Sequence, residues 1–325
     1  MVRFNFSALK GRLSNFHFDN GKPDIFIFAT PRSGSTFLLE LLQSQPGMKI
    51  YDEPLSLRKK AVQRELQVNR WQDLTTMNNR EEIFKRYFER LKNNKVPELN
   101  RPVYWRTGRL FTRRIVYKIL HGGEDMIPWF AKTFSAKIVL LIRHPIPTTL
   151  SHEKFPRLPF LLEQPGIRYL LTDQQVSLVR DVLAKGTTFQ QGIINWCLQN
   201  KYALTQKLDP NWALISYEEL TLFPHEIAKY LEEKLDLPPF KNIDQLIRRP
   251  SESTSQSDSE TRSFFDKSNQ EADRSFLIKK WKDRISKDEE KWAFETLDKF
   301  KIDYYQFGSF FPATQYRLVP IGDGP

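Results

Sequence analysis

Apolar residues follow two rhythms along this chain: short unbroken runs, and longer stretches that repeat every three or four positions. The runs at 25–29 and 137–142 predict strands buried on both faces, and shorter runs at 48–51, 115–120 and 212–216 predict three more. Helical spacing appears from Phe37 through Leu42, then over 56–68, 81–93, 127–134, 187–206, 224–235, 276–281 and 289–300. A further helix starting after Pro147 is expected to carry Ser151 and His152, and 75–79 reads as a polar joint. Pro156, Pro159 and Pro165 break the stretch beyond it, which predicts a mobile loop. This alternation of strands and helices predicts the α/β class, with a doubly wound, mainly parallel sheet and helical insertions. Residues 1–23 end in the turn Asn20-Gly21-Lys22-Pro23 and read as a peripheral arm, with 24–325 as one domain. Within that domain 248–263 holds eight Ser or Thr residues, Arg248, Arg249 and Arg262, and reads as an exposed flexible loop.

The junctions between strands and helices hold the chemistry. After the first strand, Thr30-Pro31-Arg32-Ser33-Gly34-Ser35-Thr36 leads straight into a helix. Gly34 permits close backbone approach, Ser33, Ser35 and Thr36 offer hydroxyls, and the helix aims free amides and its positive dipole end at the loop. Such a turn suits a phosphate or sulfate; it also suits a capped helix after a core strand. It lacks the Gly-x-x-x-x-Gly-Lys-Ser/Thr of a Walker loop. Asp52 and Glu53 follow the second strand, at the sheet edge where ligands bind in open parallel sheets.

A formal net charge of +11 favours anionic partners. Between 99 and 123 there is no acidic residue, while Arg101, Arg106, Arg109, Arg113, Arg114 and Lys118 gather around Tyr104 and Trp105, as a solvated face or as the wall of an anion site. A single cysteine, Cys197, excludes an internal disulfide framework, offers no metal-ligand spacing and fits a core position. No apolar run approaches a membrane span, and no signal-peptide core is visible near the N-terminus. A soluble, cytoplasmic protein is expected.

Taken together, three separated motifs resemble the sulfotransferases that use 3′-phosphoadenosine 5′-phosphosulfate. The loop Thr30 to Leu38 is similar to that family's 5′-phosphosulfate loop, in the Arg form seen in carbohydrate and protein-tyrosine enzymes. Ile138 to Pro145, with Ser151 eight residues after Arg143, resembles its 3′-phosphate site; His144 stands where Asp or Asn is usual. Ser216-Tyr217-Glu218-Glu219-Leu220 resembles the element whose Tyr lies near the adenine. The resemblance covers about 24–220. It implies that Arg32, Ser33, Gly34, Ser35, Thr36, Arg143, Ser151 and Tyr217 bind the donor, without a metal.

The family chemistry moves a sulfuryl group to an acceptor hydroxyl by in-line displacement, so positioning and charge stabilisation do most of the work. Arg32 would stabilise the leaving oxygen and Lys118 the transferring group. Two bases compete for the acceptor proton: Glu53, aligned with the carboxylate of the tyrosine and several carbohydrate enzymes, and His121, which follows the strand bearing Lys118. The glycines after His121 suggest an exposed turn. Glu53-Pro54-Leu55 and the Arg-type loop lean toward a sugar hydroxyl, so the expected partners are a nucleotide donor and a hydroxyl-bearing acceptor such as a glycan, and not nucleic acid. A nucleotide-dependent phosphotransferase and a non-catalytic anion- or glycan-binding protein of the same fold stand as alternatives.

Overall fold

The computed structural model describes residues 15–100, 111–152, 154–155, 157–241, 243–251, 259–267 and 274–320. Its strands are β1 (Phe16–His17), β2 (Ile25–Ala29), β3 (Met48–Asp52), β4 (Phe111–Thr112), β5 (Arg114–Ile119), β6 (Lys137–Ile142) and β7 (Ala213–Ser216). Five of them form one sheet in the order β3-β5-β2-β6-β7, with every neighbouring pair parallel. Strand β2 occupies the centre, which explains its unbroken apolar sequence: both faces are covered. Phe26 and Phe28 turn to one core cluster, Ile25 and Ile27 to the other. On the first face Phe26 meets Tyr117 at 4.6 Å and Phe130 at 5.2 Å between ring centroids. Leu38, Leu39 and Leu42 of the helix Ser35–Ser44 and Ile227, Ala228 and Leu231 of the helix Pro224–Leu235 fill the second. The chain is thus a doubly wound α/β fold. Cys197 is buried in the first cluster.

Several expected elements differ in extent. The helix expected over 56–68 is confined to Lys60–Leu66. Before it, Glu53 adopts φ of 47°, and Lys59 Nζ folds back to the backbone oxygens of Asp52 and Glu53, 3.2 Å from the latter, so the chain leaves the strand through turns. The polar joint begins later than expected, because Trp71–Thr76 is helical. The proline-broken stretch is not the expected loop: Pro159 and Pro165 sit in the first turns of the helices Leu158–Leu161 and Pro165–Tyr169, and Leu158, Leu161 and Ile167 are buried. Proline at a helix start removes an amide that has no helical partner there, so it initiates where it was read as breaking. The helix Asp173–Lys185 follows, started by a reciprocal cap between Thr172 and Gln175.

The region 248–263 also departs from expectation. Ser259–Lys267 is a helix, Ser251 and Thr261 are buried, and Phe264 stacks on Phe276 at 5.5 Å; residues 252–258 lie outside the described ones. Of the basic stretch, Arg101, Tyr104, Trp105, Arg106 and Arg109 lie outside the described residues, while Arg114 is buried and donates to the Leu235 carbonyl at 2.6 Å. At least that cation is structural. Of the N-terminal arm, β1 pairs in parallel with β4 in a separate two-stranded sheet. No helix among the described residues is long and apolar enough to cross a membrane.

Candidate active site

All five strands of the main sheet run in one direction, so the segments that leave their C-terminal ends meet at one edge. Beyond β2 the backbone turns sharply, with Arg32 at φ 67° and Gly34 at φ 83°, and the helix Ser35–Ser44 begins with Gly34 as its cap. Glycine is demanded twice at that position. The left-handed backbone disfavours a side chain, and a Cβ would stand 2.2 Å from Cδ2 of Tyr217. The Tyr217 ring, at the start of the helix after β7, therefore packs directly on the loop after β2.

Arg143, just beyond β6, joins the same assembly. Its guanidinium lies 4.3 Å from the Tyr217 ring centroid, and Nη1 donates to the Arg32 carbonyl at 2.7 Å. Its backbone is anchored from behind: Trp196 Nε1 donates to the Arg143 carbonyl at 2.9 Å, and the next amide, of His144, donates to Glu218 at 3.0 Å. Glu218 in turn accepts from the Tyr305 hydroxyl at 2.6 Å. Burial pushes the Glu218 carboxyl up to about 7 despite these donors, and burial together with the Arg143 charge holds His144 down at about 3. The Nε of Arg143 and the Nε and Nη1 of Arg274 are buried without a hydrogen-bond partner among the described residues. Buried guanidinium donors of this kind call for an anion.

These groups border one cleft of about 480 Å³. Arg32, Gly34, Ser35, Thr36, Arg143 and Tyr217 line it, as does Ser151. The helix after β6 is Pro145–Leu150, starting two residues before Pro147 and ending before Ser151, which caps it and donates from Oγ to Thr148 O at 2.8 Å. Ser151 thus lies at the helix end, where a position inside the helix had been expected. Ser33 is the exception among the predicted donor ligands. It is fully buried, does not line the cleft, and its amide is engaged with Thr30 O at 3.3 Å. The inward turn of the loop that exposes Gly34 is what hides Ser33.

Glu53, Lys118 and His121 also line the cleft. Lys118, near the end of β5, is in register with Ile27 of β2 and Asp52 of β3. Its ammonium pairs with Asp52, stands 3.9 Å from Glu53 Oε1 and reaches Thr36 Oγ1 at 3.4 Å. One buried cation thereby ties the candidate base to the anion loop. His121 is not the exposed turn residue expected from Gly122 and Gly123, because both glycines are buried. Burial and the neighbouring charges of Arg157 and Arg58 depress His121 well below the usual imidazole range. Arg157 hydrogen-bonds its Nδ1 and donates to Glu124 at 2.5 Å. Because an arginine can only donate, Nδ1 is the acceptor, and a neutral His121 carries its proton on Nε2. In that form the ring presents an N–H and has no lone pair left to take a proton.

Sequence reasoning missed Arg58, Trp71, Arg157 and Arg274, all of which line the cleft. Arg157 was hidden in the proline-broken stretch, and Arg274 lies beyond the reach of the three motifs. Only pairing in space, as between Arg157 and Glu124, reveals such residues.

Comparison with known proteins follows the same line. The profile of the family described as sulfotransferase domain matches residues 22–298. Several solved structures show remote similarity, three of them as follows. The sulfotransferase domain from the curacin biosynthetic pathway is 17% identical over 69% of this chain and 77% of its own, with a TM-score of 0.39. The sulfotransferase domain of the Synechococcus PCC 7002 olefin synthase is 19% identical over 86% and 96%, with a TM-score of 0.43. Mouse sulfotransferase SULT7A1, complexed with PAP, is 16% identical over 93% and 91%, with a TM-score of 0.42. No curated protein matches the chain at a significant level.

Proposed function

Since the chain belongs to the sulfotransferase domain family, we propose that its cleft binds 3′-phosphoadenosine 5′-phosphosulfate and passes the sulfuryl group to an acceptor hydroxyl, with Glu53 as general base. The observation that carries this reading is the convergence of three sequence-distant motifs at one sheet edge, where Tyr217 packs on both Gly34 and Arg143. The residues fit the donor. Arg143 and Ser151 would hold the 3′-phosphate, Tyr217 would lie beside the adenine, and the first-turn amides with the Ser35 and Thr36 hydroxyls would hold the 5′-phosphate.

The donor supplies an activated sulfuryl group on a good leaving phosphate. Around it, Glu53 takes the acceptor proton while the acceptor oxygen bonds to sulfur, and the bond from sulfur to the phosphate oxygen breaks. Arg32 neutralises the charge that collects on the departing phosphate, and Lys118 steadies the oxygens of the group in flight. Lys118 also holds Glu53 near the transfer line through their ion pair. His121, held as an N–H donor by Arg157, is suited to hydrogen-bonding an acceptor oxygen. The Arg form of the loop and Glu53-Pro54-Leu55 favour a sugar hydroxyl as acceptor, and the single cysteine suits a reducing compartment such as the cytoplasm.

A screen of hydroxyl acceptors with sulfur-labelled donor tests this. Label should move to an acceptor with equal release of adenosine 3′,5′-bisphosphate (PAP), and Arg32→Ala should abolish it. Phosphoryl transfer from ATP–Mg with no sulfuryl transfer would overturn the reading.

A further inference from the structure

Glu53 is the one carboxylate among the described residues that line the cleft, against many cations. Most of those cations are accounted for. Lys118 is answered by Asp52 and Glu53, and Arg157 by Glu124. Arg249 stands 3.6 Å from Glu40, while Lys280 and Arg284 share Glu260. Arg32, Arg143 and Arg274 border the half assigned to the donor. Arg58 and Lys154 differ from all of these. Both line the cleft, both are exposed, and neither makes an ion pair or hydrogen bond with a described residue. Arg58 arises from the turn just after Glu53, and Lys154 follows His152 by two residues.

The environment of the two histidines shows the same excess of positive charge. His121 is depressed by burial and then by Arg157 and Arg58; His152 is depressed by burial and by the charges of Arg32 and Arg58. Positive potential thus extends from the loop after β2 to the surroundings of His121. Trp71 and Phe155 line the cleft as well, Trp71 5.1 Å from the His121 ring and with the Arg157 guanidinium 5.0 Å from its own ring centroid. A neutral acceptor would leave two cations at the mouth unmatched, whereas an anionic group beside a ring-shaped body meets both features.

We propose that the acceptor itself is anionic: a compact group such as a carboxylate or sulfate on the acceptor is held by Arg58 and Lys154 while its hydroxyl faces Glu53. This rests on the sulfotransferase reading and names the acceptor class within it. The two charges act at binding, and they also lead a like-charged pair of substrates into one cleft.

The test uses the full chain saturated with PAP, which fills the donor half. p-Nitrophenyl β-D-glucuronide and its neutral counterpart p-nitrophenyl β-D-glucoside are titrated by calorimetry into the wild type and into Arg58→Gln/Lys154→Gln. The glucuronide should bind about tenfold more tightly than the glucoside, and the preference should vanish in the double variant with PAP affinity unchanged. Equal affinities, no binding of either glycoside, or a preference that survives the double substitution would overturn the proposal. Loss of PAP affinity in the double variant would also overturn it, by showing that the two cations serve the donor. PAP is titrated first: its failure to bind wild-type protein would refute the donor reading alone, and the glycoside comparison would then be read on the protein without it.

Discussion

Gly34 and Tyr217 form the tightest residue-level constraint in the cleft. In Gly34→Ala the new methyl cannot share space with the Tyr217 ring, so the ring must move and release the face on which Arg143 rests. The left-handed backbone adds strain of roughly 1 kcal/mol. PAP affinity should fall at least about tenfold, an effect of ~1.4 kcal/mol, with a lowered melting temperature read in the same samples. Unchanged affinity would mean that the Tyr217 contact does not shape the nucleotide site. The base is a second question at this scale. Glu53→Gln should keep PAP affinity and depress single-turnover transfer by something like ~10²- to 10⁴-fold. His121→Ala should do much less, because the Arg157 bond fixes its Nε2 as a donor. Full turnover in Glu53→Gln together with loss in His121→Ala would reverse the assignment.

At the scale of elements, the helix Thr188–Thr205 and the helix Tyr217–Leu222 hold Arg143 in place from behind. Trp196→Phe removes the donor to the Arg143 carbonyl and leaves that oxygen unmatched, at a cost of ~1–3 kcal/mol. Denaturant unfolding should show that loss, and calorimetry a weaker PAP complex. Glu218 makes a pH-dependent counterpart. Its folded-state value of about 7 lies above the ordinary 4.5, so the protonated carboxyl stabilises the native state at low pH and that contribution is lost as pH rises through 7. His144, held at about 3, has the opposite slope between there and 6.5. The stability of Glu218→Gln relative to the wild type should therefore grow as pH climbs from 4.5 toward 7. A difference independent of pH would contradict the buried, protonated carboxyl.

The elements also show what the sequence discloses and what it hides. Strands β2 and β6 could be read directly because their runs at 25–29 and 138–142 are unbroken apolar residues, whereas Arg114 and Lys118 interrupt the equally buried β5. Helix starts were harder: Pro145, Pro159 and Pro165 all serve as initiators, and a proline by itself does not say whether it ends or begins a helix. The candidate donor loop was legible because glycine and hydroxyls are needed in fixed order within a few residues. The Arg157–Glu124 and Lys118–Asp52 pairs were not, since they depend on β-sheet register and on loop packing between distant segments. For the same reason Ser33, adjacent in sequence to the loop hydroxyls, gave no sign that its own side chain turns inward.

Over the whole molecule, a parallel sheet with β2 at its centre brings the loop after β2, Glu53 after β3, Lys118 at the end of β5, Arg143 after β6 and Tyr217 after β7 to one edge. Five strand ends thus contribute to one cation-lined cleft, and the net charge of +11 is spent partly there. The central claim is that this edge recognises a nucleotide by its 3′-phosphate. The most direct measurement is the calorimetric affinity of PAP against adenosine 5′-phosphate and ATP–Mg, in the wild type, Arg143→Ala and Ser151→Ala. PAP should bind most tightly to the wild type. Arg143→Ala should lose roughly 1.5–3 kcal/mol for PAP, Ser151→Ala less, and both should change adenosine 5′-phosphate little. Equal affinity for PAP and adenosine 5′-phosphate, or PAP binding unaltered by Arg143→Ala, would contradict the account.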